Sequence, residues 1–411
     1  MADFYDVAVI GAGAAGIAAG RRLARSPASF VLLEAAERIG GRTLTLERGG
    51  HALDLGAGWL HSADRNLMVA IAEAAGLDVD RTEAPWQKQT AAHGMSHIEQ
   101  AAFGEAFQRF EQRIDKEAEQ DGVRAADCYL EPDCRWNALL DAVFSYISGA
   151  HLAEIDARDY ARYEDTGVNW RVRAGYGALI AAIGSALPTH LGKQVRAIDQ
   201  SSARVRVATS RGDIEARTAI VTLPPWALAA LDISPPLANK VEAALGLPLG
   251  AAEKVHFALA QPEDFPADGH LFAKTDSADT GSYHLRPMGR PLVEVYFGGS
   301  LARGLAEAGS AAMADFAVQE MTGLLGSHFP ARLTLLAASS WSTAPYALGA
   351  YSYARPGAAD ARAELAAPEG RLFFAGEATS RARYSTVHGA YQTGHEAAEQ
   401  ALECLSRGAA A

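Results

Sequence analysis

Three short runs are almost wholly apolar: Tyr5–Ile10, broken only by Asp6, Phe30–Leu33, and Ala219–Leu223, broken only by Thr222. Runs of this kind read as strands buried on both faces of a parallel sheet. Between the first two, a helical period from about Ala14 to Arg25 closes a βαβ unit over residues 5–34. Residues 66–76 predict a helix with an Asn start and a Gly stop. Residues 95–165 change character. They are rich in Glu, Gln, Arg and Ala, and Phe103, Phe107, Phe110 and Ile114 recur at helical spacing, which predicts a helical insertion. A second helix–strand series follows from Gly175, with strands expected near 193–198 and 203–208. Further strands are expected near 252–260, 292–297, 333–340 and 371–375, and helices near 310–326 and 386–404. No repeat or low-complexity linker interrupts the series. The reading is α/β: a Rossmann-like unit over 1–79, 171–234 and 344–411, interleaved with an α+β unit over 80–170 and 235–343.

Composition narrows the class. The chain has 411 residues, 49% of them apolar and 21% charged, enough for two domains with substantial cores. Its net charge of −12 argues against a nucleic-acid surface. No apolar run approaches the ~20 residues of a membrane-spanning helix. The three cysteines, Cys128, Cys134 and Cys404, fit no metal-ligand spacing, so no metal is expected. Reduced thiols, and a start that enters a strand without an apolar leader, predict a cytoplasmic protein. Nothing in the sequence specifies an oligomeric state.

The first strand ends in Gly11-Ala-Gly13-Ala14-Ala15-Gly16 and opens a helix. Gly11 permits the tight turn, Gly13 lets the backbone approach a pyrophosphate, and Gly16 lets helix and sheet pack closely. The phosphates would meet the free N–H groups of the helix N-terminus. Glu34 ends the next strand, 18 residues after Gly16, where a carboxylate would hold ribose hydroxyls. Gly40-Gly41-Arg42 adds an arginine within reach of the same phosphates.

These residues, together with a C-terminal block, resemble the FAD-dependent amine oxidases, a family that includes monoamine oxidases, polyamine oxidases and lysine-specific histone demethylases. Glu34-Ala35-Ala36-Glu-Arg38-Ile-Gly40-Gly41-Arg42 matches the family's second FAD element, except that Ala36 stands where many members have an arginine. Asp54-Leu-Gly56-Ala57-Gly58-Trp59-Leu60-His61 resembles the segment beneath the flavin, and Lys193-Gln-Val195 the adenine-contacting turn. Trp341, Tyr351-Ser352-Tyr353, Gly376-Glu377 and Thr386-Val387-His388-Gly389-Ala390 match the C-terminal signature. By this resemblance the sheet of the FAD domain is parallel with a three-stranded antiparallel crossover. Trp341 would pack on the isoalloxazine, and Glu377 would bind the ribityl side. Thr386 and Val387 would open the last helix towards the reduced flavin.

The resemblance also assigns catalytic candidates. Strand alternation puts Lys254, His256 and Ala258 on one face; alone this reads as a solvent-facing lysine. By the resemblance Lys254 reaches flavin N5 through a water, with burial expected to lower its pKa. Tyr351 would be one wall of an aromatic cage that steers the amine cation. The opposite wall falls on Thr386, which argues against a typical monoamine oxidase. Ala350 occupies the position of the cysteine that bonds the flavin in monoamine oxidases, so FAD is expected to be noncovalent. His61 would accept a hydrogen bond from a substrate nitrogen.

The expected reaction is hydride transfer from the amine α-carbon to FAD, hydrolysis of the imine to an aldehyde, and reoxidation by dioxygen to hydrogen peroxide. A polyamine or secondary amine is favoured. The alternatives are a primary monoamine oxidase, or a flavin dehydrogenase or desaturase with another acceptor.

Overall fold

A computed structural model describes residues 3–87, 90 and 93–409. Two sheets organise it. The first has eight strands. Asp3–Ile10 lies at its centre, parallel to Phe30–Leu33 on one side and to Ile214–Val221 on the other. Thr189–His190 extends it beyond Phe30–Leu33. The long strand Ile214–Val221 is shared between two partners. Its first residues pair antiparallel with Val205–Thr209, and its last pair parallel with Leu372–Phe374. Val195–Asp199 completes the antiparallel branch expected from the family resemblance. Val7, Ala8, Val9 and Ile220 are fully buried, as the apolar cores of strands covered on both faces must be.

The helix Ala14–Leu23 packs against the final helix, Val387–Ala409. The contact is close because Gly394 carries no side chain; a methyl group there would lie 2.0 Å from the carbonyl oxygen of Ala15. Thus residues at the two ends of the sequence flank one crevice at the C-terminal ends of the parallel strands, where open α/β sheets bind ligands.

The second sheet is antiparallel, in the order Gly269–Phe272, Ser282–Leu285, Leu292–Gly298, Ala252–Leu259, Leu333–Ala338. The first two strands are short and their apolar runs carry histidines, so the sequence pattern passes over them. One face packs on the helices Gly299–Ala308 and Ser310–Leu325 through Val255, Phe257, Val293, Val295 and Met313. The helical insertion comprises His97–Asp121, Asn137–Ser148 and Ala157–Ala161. The first of these starts with a reciprocal capping box between Ser96 and Glu99. Among the described residues no helix is long and apolar enough to cross a membrane.

Candidate active site

The turn after the first strand is held by glycines, each for its own steric reason. Gly11 has φ +104°, and a methyl group on it would lie 2.5 Å from Thr222 Oγ1. On Gly16 a methyl group would lie 1.9 Å from the carbonyl oxygen of Gly11. Gly13 differs: a methyl group there would meet only Gly41 Cα, at 3.9 Å. Space therefore opens in front of Gly13. No side chain caps the helix at Gly13, so the first-turn N–H groups, those of Ala14 and Ala15 included, remain available to an anion.

Glu34 is tied to this turn. Its two carboxylate oxygens accept from the N–H groups of Ala12 (2.8 Å) and Ala36 (2.9 Å). Ala35 lies between these anchors, and the N–H of Lys193 reaches the Glu34 carbonyl at 2.8 Å. The turn leading into Val195 is thereby set beside Glu34 and Ala35.

Arg42 crosses to the C-terminal block. Its Nη1 donates to the Ala350 carbonyl at 2.7 Å and to Glu377 Oε1 at 2.9 Å. Glu377 is buried and accepts three more bonds, from Ser352 N, Ser352 Oγ and Ser385 N. Burial alone would raise its pKa, but Arg42, Ser352 and Arg362 outweigh that and hold it below the usual carboxylate range. A cavity runs along Arg42, Thr222, Pro224, Gly376 and Glu377. Gly376 adds to the opening: its φ is +138°, and a methyl group on it would meet nothing within 4 Å. An uncapped helix end, one arginine and two glycines facing open space fit the pyrophosphate and ribityl chain of FAD.

The segment Gly56-Ala57-Gly58 passes between this crevice and the second sheet. A methyl group on Gly56 would lie 2.0 Å from the Arg42 carbonyl and 3.1 Å from Trp341 Cζ2. Ala57 N bonds the Arg42 carbonyl, and Trp341 Nε1 donates to the Leu55 carbonyl at 2.6 Å. On the other side, a methyl group on Gly58 would lie 3.2 Å from Lys254 Nζ. Trp59 turns to the second sheet: its Nε1 donates to Tyr296 Oη (3.1 Å), and Arg171 lies over its ring at 3.8 Å.

Lys254 is buried on the sheet face that meets this segment, not solvent-facing. Lys254 and His256 both point to the Asp54 carbonyl, as alternation requires. Lys254 Nζ lies 3.1 Å from that carbonyl and 3.3 Å from Glu294 Oε1, and it sits over the Tyr296 ring at 4.7 Å. The expected downward pKa shift is corrected here. Burial does pull it down, but Tyr296, Glu294 and Asp54 outweigh burial and the net shift is upward. These surroundings favour the ammonium form of Lys254.

His61 is oriented by Asn169. The ring Nδ1 lies 2.6 Å from Asn169 Oδ1, and Asn169 Nδ2 donates to the Gly167 carbonyl, which fixes the amide's direction. Nδ1 therefore carries the proton and Nε2 is left to accept. Burial holds the His61 pKa below its ordinary value, against the opposing effect of Asn169 and Asp165. Buried His388 interacts with His61 and is pushed down to about 4, mainly by burial.

Tyr351 is anchored by its hydroxyl, which donates to the Tyr146 carbonyl at the end of the insertion helix Asn137–Ser148. Thr386 is buried and caps the final helix. Its Oγ1 accepts from Gly389 N at 3.0 Å and donates to the Arg383 carbonyl at 2.6 Å, while Val387 begins the helix. Its hydroxyl is committed to the backbone.

Sequence reasoning missed Glu294, Tyr296, Arg171 and His284. Glu294 Oε2 lies 3.0 Å from Arg171 Nη1, and Arg171 Nη2 donates to His284 Nδ1 at 2.8 Å. Arg171 and Lys254 outweigh burial and hold Glu294 well below the carboxylate range. One signal was present in the sequence: Glu294 and Tyr296 are the polar residues, two apart, in the otherwise apolar run Leu292–Gly298.

Comparison with known proteins agrees with this arrangement. Residues 136–402 match the family model of flavin containing amine oxidoreductases, and residues 9–74 match that of an NAD(P)-binding Rossmann-like domain. Polyamine oxidase 2 of Arabidopsis thaliana is 28% identical, over 96% of this chain and 87% of its own. A pseudooxynicotine dehydrogenase from a Pseudomonas species is 24% identical, over 98% and 87%. The structure of cyclohexylamine oxidase from Brevibacterium oxydans IH-35A superposes with a TM-score of 0.81 at 19% identity, covering 98% of this chain and 99% of that one. The chain belongs to the flavin-containing amine oxidoreductases.

Proposed function

We propose that this enzyme oxidises the C–N bond of a polyamine or other secondary amine, with noncovalent FAD and with dioxygen as acceptor. FAD is held by residues 1–79, 171–234 and 344–411, and the amine by residues 80–170 and 235–343. One observation carries the reading: Lys254, buried on the second sheet, approaches Gly58, on the segment that lines the cofactor crevice. FAD supplies, when bound, the two-electron redox chemistry: hydride acceptance from the carbon beside the amine nitrogen, and electron transfer to dioxygen with formation of hydrogen peroxide.

The chain's own residues divide the remaining work. Gly11, Gly13, Ala14, Ala15, Gly16, Gly41 and Arg42 receive the phosphates. Glu34, Ala35 and Val195 receive the adenosine end, and Gly376, Glu377 and Val387 the ribityl side. Gly56, Ala57, Gly58, Trp59 and Trp341 bound the ring. Tyr351 presents an aromatic face to the amine. The Trp59 and Tyr296 faces already carry Arg171 and Lys254. Thr386 offers no second wall, which suits an extended amine better than a compact aromatic one. Nε2 of His61 accepts from the substrate nitrogen, which must be neutral to release hydride. The charged Lys254 positions the water or dioxygen near the reacting edge. Ala350 provides no sulfur for a flavin bond.

The test is an anaerobic titration with spermine, spermidine, a secondary monoamine and a primary monoamine, following oxidised-flavin absorbance. Bleaching by the first three and not the last is expected. Intact absorbance with every amine overturns the reading. The likeness to a pseudooxynicotine dehydrogenase favours a second reading, in which another acceptor replaces dioxygen. Hydrogen peroxide formed in proportion to amine consumed rules it out.

A further inference from the structure

We propose that Glu294 is a positioning residue for the reaction: it holds Lys254 Nζ against the segment that lines the cofactor crevice, and Arg171 in turn holds Glu294. The proposal rests on the reading that Lys254 serves the flavin.

The sheet register brings the groups together. Lys254 pairs with Tyr296 and His256 with Glu294, so all four side chains lie on one face in two adjacent rows. Lysine has a flexible four-carbon stem and three equivalent donors, and a strand position alone does not select where its ammonium sits. Here three groups select it: the Asp54 carbonyl at 3.1 Å, Glu294 Oε1 at 3.3 Å, and Tyr296, whose side chain also hydrogen-bonds the ammonium. Glu294 is itself immobilised. Oε1 accepts from Tyr296 Oη at 3.0 Å, and Tyr296 Oη accepts from Trp59 Nε1. Oε2 is paired with Arg171 at 3.0 Å.

All three charged side chains are at least nine-tenths buried, with exposures of 9% for Lys254, 5% for Glu294 and 9% for Arg171. Buried ion pairs are a poor source of stability, since apolar residues of similar volume often serve as well. This one sits where the substrate-side sheet meets the crevice, and its geometry determines the placement of one ammonium group. The other titratable and charged groups around it include Asp54, His61, His256, Asp268, His284, Arg290 and Tyr296.

The test compares Lys254→Met, Glu294→Gln and the double variant as FAD-loaded enzymes, with flavin reduction and reoxidation timed separately. Whichever half-reaction Lys254→Met slows is expected to slow at least about tenfold in Glu294→Gln, with no further loss in the double variant. The alkaline limb of that half-reaction is expected to move to lower pH in Glu294→Gln, because the ammonium has lost its counter-charge. A readout independent of turnover is acetylation of Lys254 in the cofactor-free protein, read by mass spectrometry. It is expected to be about tenfold faster in Glu294→Gln at fixed pH.

Wild-type half-reactions in Lys254→Met would overturn the Lys254 reading itself. Slow Lys254→Met with wild-type kinetics and labelling in Glu294→Gln would overturn the Glu294 proposal, as would additive losses in the double variant. If Glu294→Gln does not fold, Arg171→Met/Glu294→Met removes both charges together and is scored by the same criteria.

Discussion

Arg42 and Glu377 meet at 2.9 Å with side-chain exposures of 28% and 7%, although 335 positions separate them in the chain. The first follows the glycine pair of the N-terminal element, and the second lies three residues past the last strand, Leu372–Phe374. Their contact joins the two halves of the cofactor crevice. It continues through Ser352 to Arg362, whose guanidinium pairs with Asp159 of the helical insertion at 2.8 Å. Arg42, Glu377, Ser352, Arg362 and the insertion helix therefore form one hydrogen-bonded chain.

Glu377→Gln is expected to weaken that chain at its centre. An amide cannot accept all four bonds, and it leaves Arg42 facing a neutral group. Breaking a buried pair from one side costs about 3–5 kcal/mol. The variant should melt well below wild type and lose FAD during purification. Differential scanning calorimetry with the flavin-to-protein absorbance ratio checks both, and an unchanged ratio would remove Glu377 from the cofactor site.

The glycines separate packing from ligand space. Gly16→Ala places a methyl group 1.9 Å from a backbone oxygen, so no folded protein is expected. Gly13→Ala meets nothing closer than 3.9 Å in the protein, so the apoprotein should fold with a near-normal melting temperature. Its FAD affinity should fall about tenfold or more, because the methyl group enters the space of the pyrophosphate. Equal FAD affinity in Gly13→Ala, measured by fluorescence titration, would place the phosphates elsewhere.

Tyr351 has two separable properties, a face and an anchor. Tyr351→Phe keeps the ring and loses the bond to the Tyr146 carbonyl, which should cost about 1–2 kcal/mol of stability with KM little changed. Tyr351→Leu removes the face, and KM for the amine should rise about 3–30-fold. Steady-state kinetics and thermal melts on the two variants distinguish these roles. A larger KM effect in Tyr351→Phe than in Tyr351→Leu would contradict the cage.

Acid should destabilise the enzyme through its buried histidines. Burial pushes His256 down to about 4, against about 6.5 for an unfolded histidine. The folded state binds the proton less readily than the unfolded state. The contribution of His256 is thus complete above pH 6.5 and is lost as pH falls from 6.5 to 4. The loss is on the order of 3 kcal/mol. His256→Gln should flatten the melting temperature over that window. Parallel wild-type and variant curves from pH 7 to 4 would sink the assignment.

By itself the sequence determined the fold class, the dinucleotide turn and the family. Each depends on local backbone rules: mostly apolar strands, glycines where a side chain cannot fit, and motifs whose spacing is set by a turn or a helix end. Gly11, Gly16 and Glu34 are legible for that reason. The direction of the Lys254 pKa shift was not. Its surroundings come from the strands Ala252–Leu259 and Leu292–Gly298, from Arg171 and from Asp54, and a pKa depends on the sum of burial and these neighbours. Thr386 is similar: its motif gave its position, but the packing of Arg383 and Gly389 assigned its hydroxyl to a helix cap. Electrostatics of this kind depend on distances between segments far apart in the chain, and only the tertiary structure decided them.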